Sequence, residues 1–282
     1  ITLTRPAWET SEYEWDGGID AIDIPMTPLT IRALRVSASD VANSDRWNDI
    51  LSLAESTGIN GLVVDLKAED GTVVYRSELP TAVAIGAVAG YFEAAEVLAD
   101  GDERSLYMIG RIGVFQDNFF AAAEPDHAVL TASGELWRSS DGFAWLDPSD
   151  PAAYEYAVDI AEEACLLGFD EIQFDFVRWP GRRGDAIFDG EDNEEVRVAS
   201  TSAFLARAYS VLHPIGCAVS TTIFGIALAE KTDSGIGQRP EAMSSVVDVL
   251  SPTLYTPDYP AGWSNFDEPD DHAVEIVMGA LD

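Results

Sequence analysis

Gly168-Phe169-Asp170-Glu171-Ile172-Gln173-Phe174-Asp175-Phe176-Val177-Arg178-Trp179-Pro180 reads as a strand whose two faces differ in character. Successive strand side chains point to opposite faces, so Glu171, Gln173 and Asp175 share one face while Ile172, Phe174 and Phe176 share the other. A strand buried on both sides is apolar on both. Burying carboxylates without partners is costly, so the polar face must look into a solvated or hydrogen-bonded cavity. The mouth of a parallel barrel is such a cavity, and residues at strand C-terminal ends carry the chemistry there. The exposed side of an antiparallel sheet alternates in the same way, but the preceding segment argues against it. Asp150-Pro151 opens a stretch in which Tyr154, Val158, Ala161 and Cys165 recur at helical spacing, and Gly168 stands where a C-cap belongs. Helix, glycine and buried strand make a βα unit.

The same grammar repeats outward from this stretch. Apolar strands are expected at 31–37, 61–67, 106–115, 170–179, 217–226 and 247–255. A helix over 45–56 turns Trp47, Ile50, Leu51 and Ala54 inward and stops at Gly58. Further helices are expected at 84–99, 194–212 and 271–281, with Pro214 ending the second of these. The fold class is therefore α/β, a (β/α) barrel of the TIM type. An eightfold barrel needs two more strands after 247–255, so the barrel is either truncated or open after its sixth strand. Residues 1–30 read as an N-terminal extension lying over the body, and residues 31–282 as one barrel domain.

Sixteen basic residues stand against 50 acidic ones, a formal net charge of −34 in 282 residues. Such a surface repels nucleic acid and anionic membranes. No run approaches the roughly 18 apolar residues of a membrane span, so membrane insertion is not expected. Lys67 and Lys231 are the only lysines, a bias of GC-rich or salt-adapted genomes. The acidic runs 189–195 and 267–271 match no spaced calcium loop and read as solvated surface. His127, His213 and His272 are scattered, so no metal site is expected, and nothing implies a cofactor. Cys165 and Cys217 lie on different elements and read as buried free thiols. The long segment 116–150, rich in aromatic residues and containing Trp137 and Trp145, should wall a cleft.

Gly168 to Pro180 resembles the GFDEIQFDYIRFP signature of the glycosyl hydrolase domain family DUF4015, and other blocks agree in order. Gly58-Ile59-Asn60-Gly61-Leu62-Val63-Val64-Asp65-Leu66-Lys67 resembles that family's second strand. The stretch 107–117, with Arg111 and Phe115, resembles its third strand, and Trp145-Leu146-Asp147-Pro148 and 251–259 resemble two later blocks. The resemblance covers about residues 31–281. It implies a TIM-barrel glycosidase acting on a polysaccharide or cell-wall glycan, outside the cytoplasm or at the cell surface. Two departures stand out: Thr222 occupies a place where the family carries an acid, and the family's last pair of strands is not seen here.

Glycosidic cleavage needs one carboxyl group to protonate the leaving oxygen and another as nucleophile or base. Asp175 and then Asp65, both late in their strands, are the expected catalytic acids. For each, the competing reading is an ion pair: Asp65 with Lys67, and Asp175 with Arg178 or Arg111. Glu171, early in its strand, reads as structural. Arg35, Arg111, Arg178, Trp145, Asp147, Trp179 and Tyr255 are the expected substrate contacts; Trp137 and Trp263 are further candidates for stacking on sugar rings. The rivals to hydrolysis are a carbohydrate-binding barrel without activity, which Thr222 favours, and a structural or surface-assembly protein.

Overall fold

The computed structural model describes residues 2–3, 6–12 and 27–281. Two short strands, β1 (Thr2–Leu3) and β2 (Ser11–Glu12), pair antiparallel, and Trp8 bridges Pro28. Of the expected N-terminal cover, residues 13–26 lie outside the described residues.

The body begins with β3 (Ala33–Val36) and β4 (Gly61–Lys67), which run parallel. β5 (Val73–Tyr75) then turns back antiparallel to β4 through Lys67 and Val73, and β6 (Val88–Phe92) lies parallel to β5. β7 (Tyr107–Gly113) returns to the other side of β4, and β8 (Glu171–Asp175), β9 (Ala218–Phe224) and β10 (Val249–Thr253) follow in order, all parallel. All six expected strands are present and parallel, adjacent in chain order, as in the TIM-type barrel. β3 and β10 stand at the two ends of that order and do not pair among the described residues.

Register then places the polar residues. Asp65 lies opposite Arg111, Arg111 opposite Gln173 and Gln173 opposite Ser220, a row crossing four strands at one level. Asp175 comes two residues later on β8, towards the C-terminal rim. The other face of β8 is packed under helices. Phe174 is fully buried and meets Phe204 edge to face at 5.0 Å, and Tyr154 meets the same ring at 5.3 Å. Phe204 belongs to helix Glu194–Leu212, and Tyr154 to helix Pro151–Leu167. In the latter, the Asp150 carboxylate caps the N-terminus by accepting from Ala152 N–H, Pro151 takes the first turn, and Gly168 ends it at φ 121°. Helix Ser44–Ser56 buries the four residues expected of it.

Three expectations change. Residues 84–99 are not one helix: a short helix, Pro80–Ala84, gives way to β6 and then to helix Ala94–Asp102. Gly86 and Gly90 adopt φ values of 72° and 61° and break the helical path, leaving Val88, Tyr91 and Phe92 to a strand. Strand 170–179 ends early, at Asp175, because Phe176 turns left-handed at φ 56°. Cys165 and Cys217 are not free thiols. They form a disulfide with Cα atoms 5.9 Å apart, joining the last turn of helix Pro151–Leu167 to the start of β9. Their separation of 52 residues carries no hint of this, because only the packing of the helix against the sheet brings them together.

Candidate active site

Arg111, on the inward face of β7 and nearly fully buried, is the centre of the site. Its Nη1 donates to Asp65 Oδ1 at 3.1 Å, and its Nε and Nη2 donate to Asp175 Oδ2 at 2.9 and 2.5 Å. Nη2 also reaches Glu69 Oε1 at 3.3 Å. Burial disfavours the charged guanidinium, but Asp175 and Asp65 beside it more than reverse this, and its pKa lies above the ordinary arginine value. Three carboxylates from two strand ends thus converge on one cation.

Asp175 accepts on both oxygens. Arg111 holds Oδ2, while Oδ1 takes the Thr222 hydroxyl at 2.5 Å and the Phe176 N–H at 2.8 Å. Burial pushes the Asp175 pKa up, yet the Arg111 charge and these hydrogen bonds outweigh it and leave the group below the ordinary aspartate value. Asp175 is therefore a carboxylate at any moderate pH. The left-handed turn at Phe176 brings its N–H back onto the carboxylate of its own neighbour. A bulky residue in that region is strained by about 1–3 kcal/mol, and such strain clusters at functional sites. Thr222, where the resembled family carries an acid, here serves as a hydrogen-bond donor to Asp175.

Asp65 is gripped by Arg35, whose Nε and Nη2 both lie 3.2 Å from its two oxygens, as well as by Arg111. The pair with Lys67, the competing reading for Asp65, does not form. A register irregularity between Asp65 and Lys67 breaks the alternation, and Lys67 is fully buried with Nζ 2.9 Å from Asp117 Oδ2 and 2.7 Å from Gly113 O. Asp175 pairs with Arg111 rather than Arg178. Glu171 is buried low in the strand, accepts from the Tyr107 hydroxyl at 3.2 Å and has its pKa raised by burial, as a structural residue would.

A cavity of about 660 Å³ opens at this end of the sheet, with Arg35, Glu69, Arg111, Asp175, Arg178 and Tyr255 among its walls. A second, of about 270 Å³, continues under segment 116–150 and is walled by Trp137, Trp145, Phe176 and Arg178. That segment is ordered by paired backbone hydrogen bonds, such as Val129 N to Trp145 O at 2.8 Å and Asp117 N to Ala144 O at 3.1 Å. Trp145 thus lines the smaller cavity, although its side chain is almost fully buried. Two expected contacts lie elsewhere. Asp147 is buried and holds the loop, its oxygens accepting from Ser149 Oγ at 2.6 Å and Asp189 N at 2.6 Å. Trp179 is fully buried against Phe188 and donates to Ser200 Oγ at 3.0 Å. Trp263 packs against Tyr259. Sequence reasoning missed Glu69, which lies two residues past the end of β4, where alternation no longer tells which way a side chain points.

No curated protein matches the chain in sequence. Among solved structures, a hypothetical protein from Ruminiclostridium thermocellum is 33% identical with a TM-score of 0.61, the match covering 67% of this chain and 96% of that one. The PgaB (BpsB) glycoside hydrolase domain from Bordetella bronchiseptica shares the fold at 10% identity and a TM-score of 0.62, covering 89% of this chain and 80% of that one. The trehalose-6-phosphate hydrolase of Bacillus licheniformis shares it at 13% identity and a TM-score of 0.54, over 88% of this chain and 54% of that one. Residues 33–282 match the family DUF4015, described as "Putative glycosyl hydrolase domain". On that match the chain belongs to the DUF4015 family, and it is an enzyme of the glycosidase type on a TIM-barrel fold.

Proposed function

We propose that the protein hydrolyses glycosidic bonds in a polysaccharide or cell-wall glycan outside the cytoplasm, with Asp175 and Glu69 as the working pair. The observation that carries this reading is that both carboxylates meet Nη2 of Arg111. Their nearest oxygens are no farther apart than those two contacts, 2.5 and 3.3 Å, laid end to end. That is closer than the roughly 6.5–9.5 Å of an inverting pair and agrees with the roughly 5–5.5 Å of a retaining one.

In this mechanism the ionised Asp175 attacks the anomeric carbon as the bond to the leaving oxygen breaks and Glu69 gives that oxygen its proton. Glu69 then takes a proton from water, the resulting hydroxide displaces Asp175 from the anomeric carbon, and both groups return to their starting state. Arg111 positions both carboxylates, and Asp65 with Arg35 fixes Arg111. Glu69 suits the donor role because its side chain is more exposed, 44% against 22% for Asp175, and is held by one long contact instead of four. The Cys165–Cys217 disulfide supports a site of action in an oxidising compartment.

The test is reducing-end release over a panel of glycans. Asp175→Asn should lower turnover on the responding glycan by on the order of 10³-fold or more while the protein stays folded. Glu69→Gln should do likewise on natural linkages but much less on aryl glycosides whose leaving group needs no proton. Near-normal turnover of a folded Asp175→Asn variant would remove Asp175 from the mechanism. Inverted product stereochemistry by NMR would remove the assigned pairing.

A further inference from the structure

Arg178 differs from the other arginines of the large cavity. Arg35 and Arg111 are paired with carboxylates, whereas Arg178 forms no ion pair among the described residues; its Nη1 makes a long contact, 3.3 Å, to the Trp179 carbonyl. Its guanidinium is held between rings instead. Cζ lies 4.9 Å from the centre of Trp145 and 5.4 Å from those of Phe176 and Phe224. Burial pulls its pKa down to about 10, with Asp175 and Asp141 opposing that fall through space. With 50 acidic residues against 16 basic ones, a carboxylate partner is the commonest thing this chain has to offer, and among the described residues Arg178 touches none.

The position of Arg178 gives this absence a use. The side chain borders both the large cavity that contains Asp175 and the smaller one under segment 116–150. The smaller cavity is also lined by Arg182, likewise without a carboxylate partner among the described residues, and by two acids, Glu69 and Asp141, of which Glu69 is held by Arg111. Gln116, Ser139 and Trp145 on its walls each carry a buried polar atom, Oε1, Oγ and Nε1, with no hydrogen-bond partner in the described protein. A guanidinium presents a planar fork of donors that matches a carboxylate in two parallel bonds, and three rings surround that fork here. A buried cation with no carboxylate in direct contact is costly, and an anion arriving on the ligand lowers that cost.

We propose that the smaller cavity beside Asp175 is a subsite for a sugar unit bearing a carboxylate, a uronic acid, whose acid group pairs with Arg178. The assignment rests on the glycosidase reading and names its substrate class. The net charge of −34 repels a polyanion at long range, so discrimination for the acid group has to be local. Salt at molar concentration screens the long-range repulsion within about 3 Å and leaves a close, partly buried pair less affected.

Calorimetric titration of the whole protein at molar salt with oligogalacturonate, oligoglucuronate, cellotetraose, maltotetraose, sodium sulfate and sodium phosphate tests this. One of the uronate oligosaccharides should bind at least about tenfold more tightly than either neutral one. Arg178→Met should remove that preference, and Arg178→Lys, which keeps the charge without the fork, should fall between. Should Arg178→Met fail to fold, Arg182→Ala and the wild-type preference decide: loss of part of the preference supports the subsite, and an absent wild-type preference overturns it. Equal binding of neutral and acidic sugars, uronate binding indifferent to Arg178→Met, or sulfate or phosphate binding as tightly as the uronates would each overturn it. Hydrolysis of a neutral glycan without uronate preference would overturn this inference and leave the glycosidase reading intact; absence of any sugar binding or hydrolysis would overturn both.

Discussion

At the residue scale, Asp175 and Phe176 form a unit, because the strained backbone of one supplies a hydrogen bond to the other. Glycine tolerates the left-handed region and alanine does not. Phe176→Gly and Phe176→Ala lose the same ring, so comparing them isolates the strain. Glycine at an ordinary position is less stable than alanine by about 0.5–1 kcal/mol; here Phe176→Gly should be at least as stable as Phe176→Ala in denaturant titration. The depressed pKa of Asp175 adds a pH signature. Its pairing stabilises the fold fully above the unfolded aspartate pKa of about 3.9, and this contribution disappears as pH falls through the lower folded value. The gap in melting temperature between wild type and Asp175→Asn should therefore narrow below about pH 4 and stay constant from there to neutrality. Since Asp175 is ionised throughout that higher range, an acidic limb of kcat/KM lying above pH 4 would belong to another group.

At the scale of elements, the six parallel strands were legible because each is an apolar run between helical or turn segments, and helix Ser44–Ser56 because its four inward residues keep helical spacing. Asp175 was legible for the same reason: a carboxylate on the inward face of a buried strand needs a partner. What the sequence hid lies where periodicity fails. A register irregularity after Asp65 sends Lys67 to Asp117, β6 replaces part of an expected helix, and Glu69 lies two residues past the end of its strand. The Cys165–Cys217 bridge was hidden because it depends on packing between elements. Closing a loop of 52 residues removes about 4 kcal/mol of denatured-state freedom on the chain-entropy account. Reduction, or Cys165→Ala with Cys217→Ala, should accordingly lower the melting temperature by on the order of 10 °C. A shift of only a degree or two would show that the helix end and β9 are held together without the bond.

At the scale of the whole molecule, cations are scarce and several are gathered at one end of the sheet, while the acidic excess is spread over the surface. Self-repulsion among those acids destabilises the compact state, and added salt shortens its range. The melting temperature should rise between low and molar sodium chloride, and a flat response would show that the acidic surface is balanced locally. The bridge between Cys165 and Cys217 also changes what a broken chain amounts to. It encloses β8, the largely exposed stretch 181–195 and helix Glu194–Leu212 in one covalent ring. A protease cutting that exposed stretch would leave both fragments of the enzyme joined in a single molecule, with Asp175 still tied to the sheet that positions it. In the extracytoplasmic setting proposed for this protein, where peptide bonds are under constant attack, a nick would show on a reducing gel long before it showed in the work of the cleft.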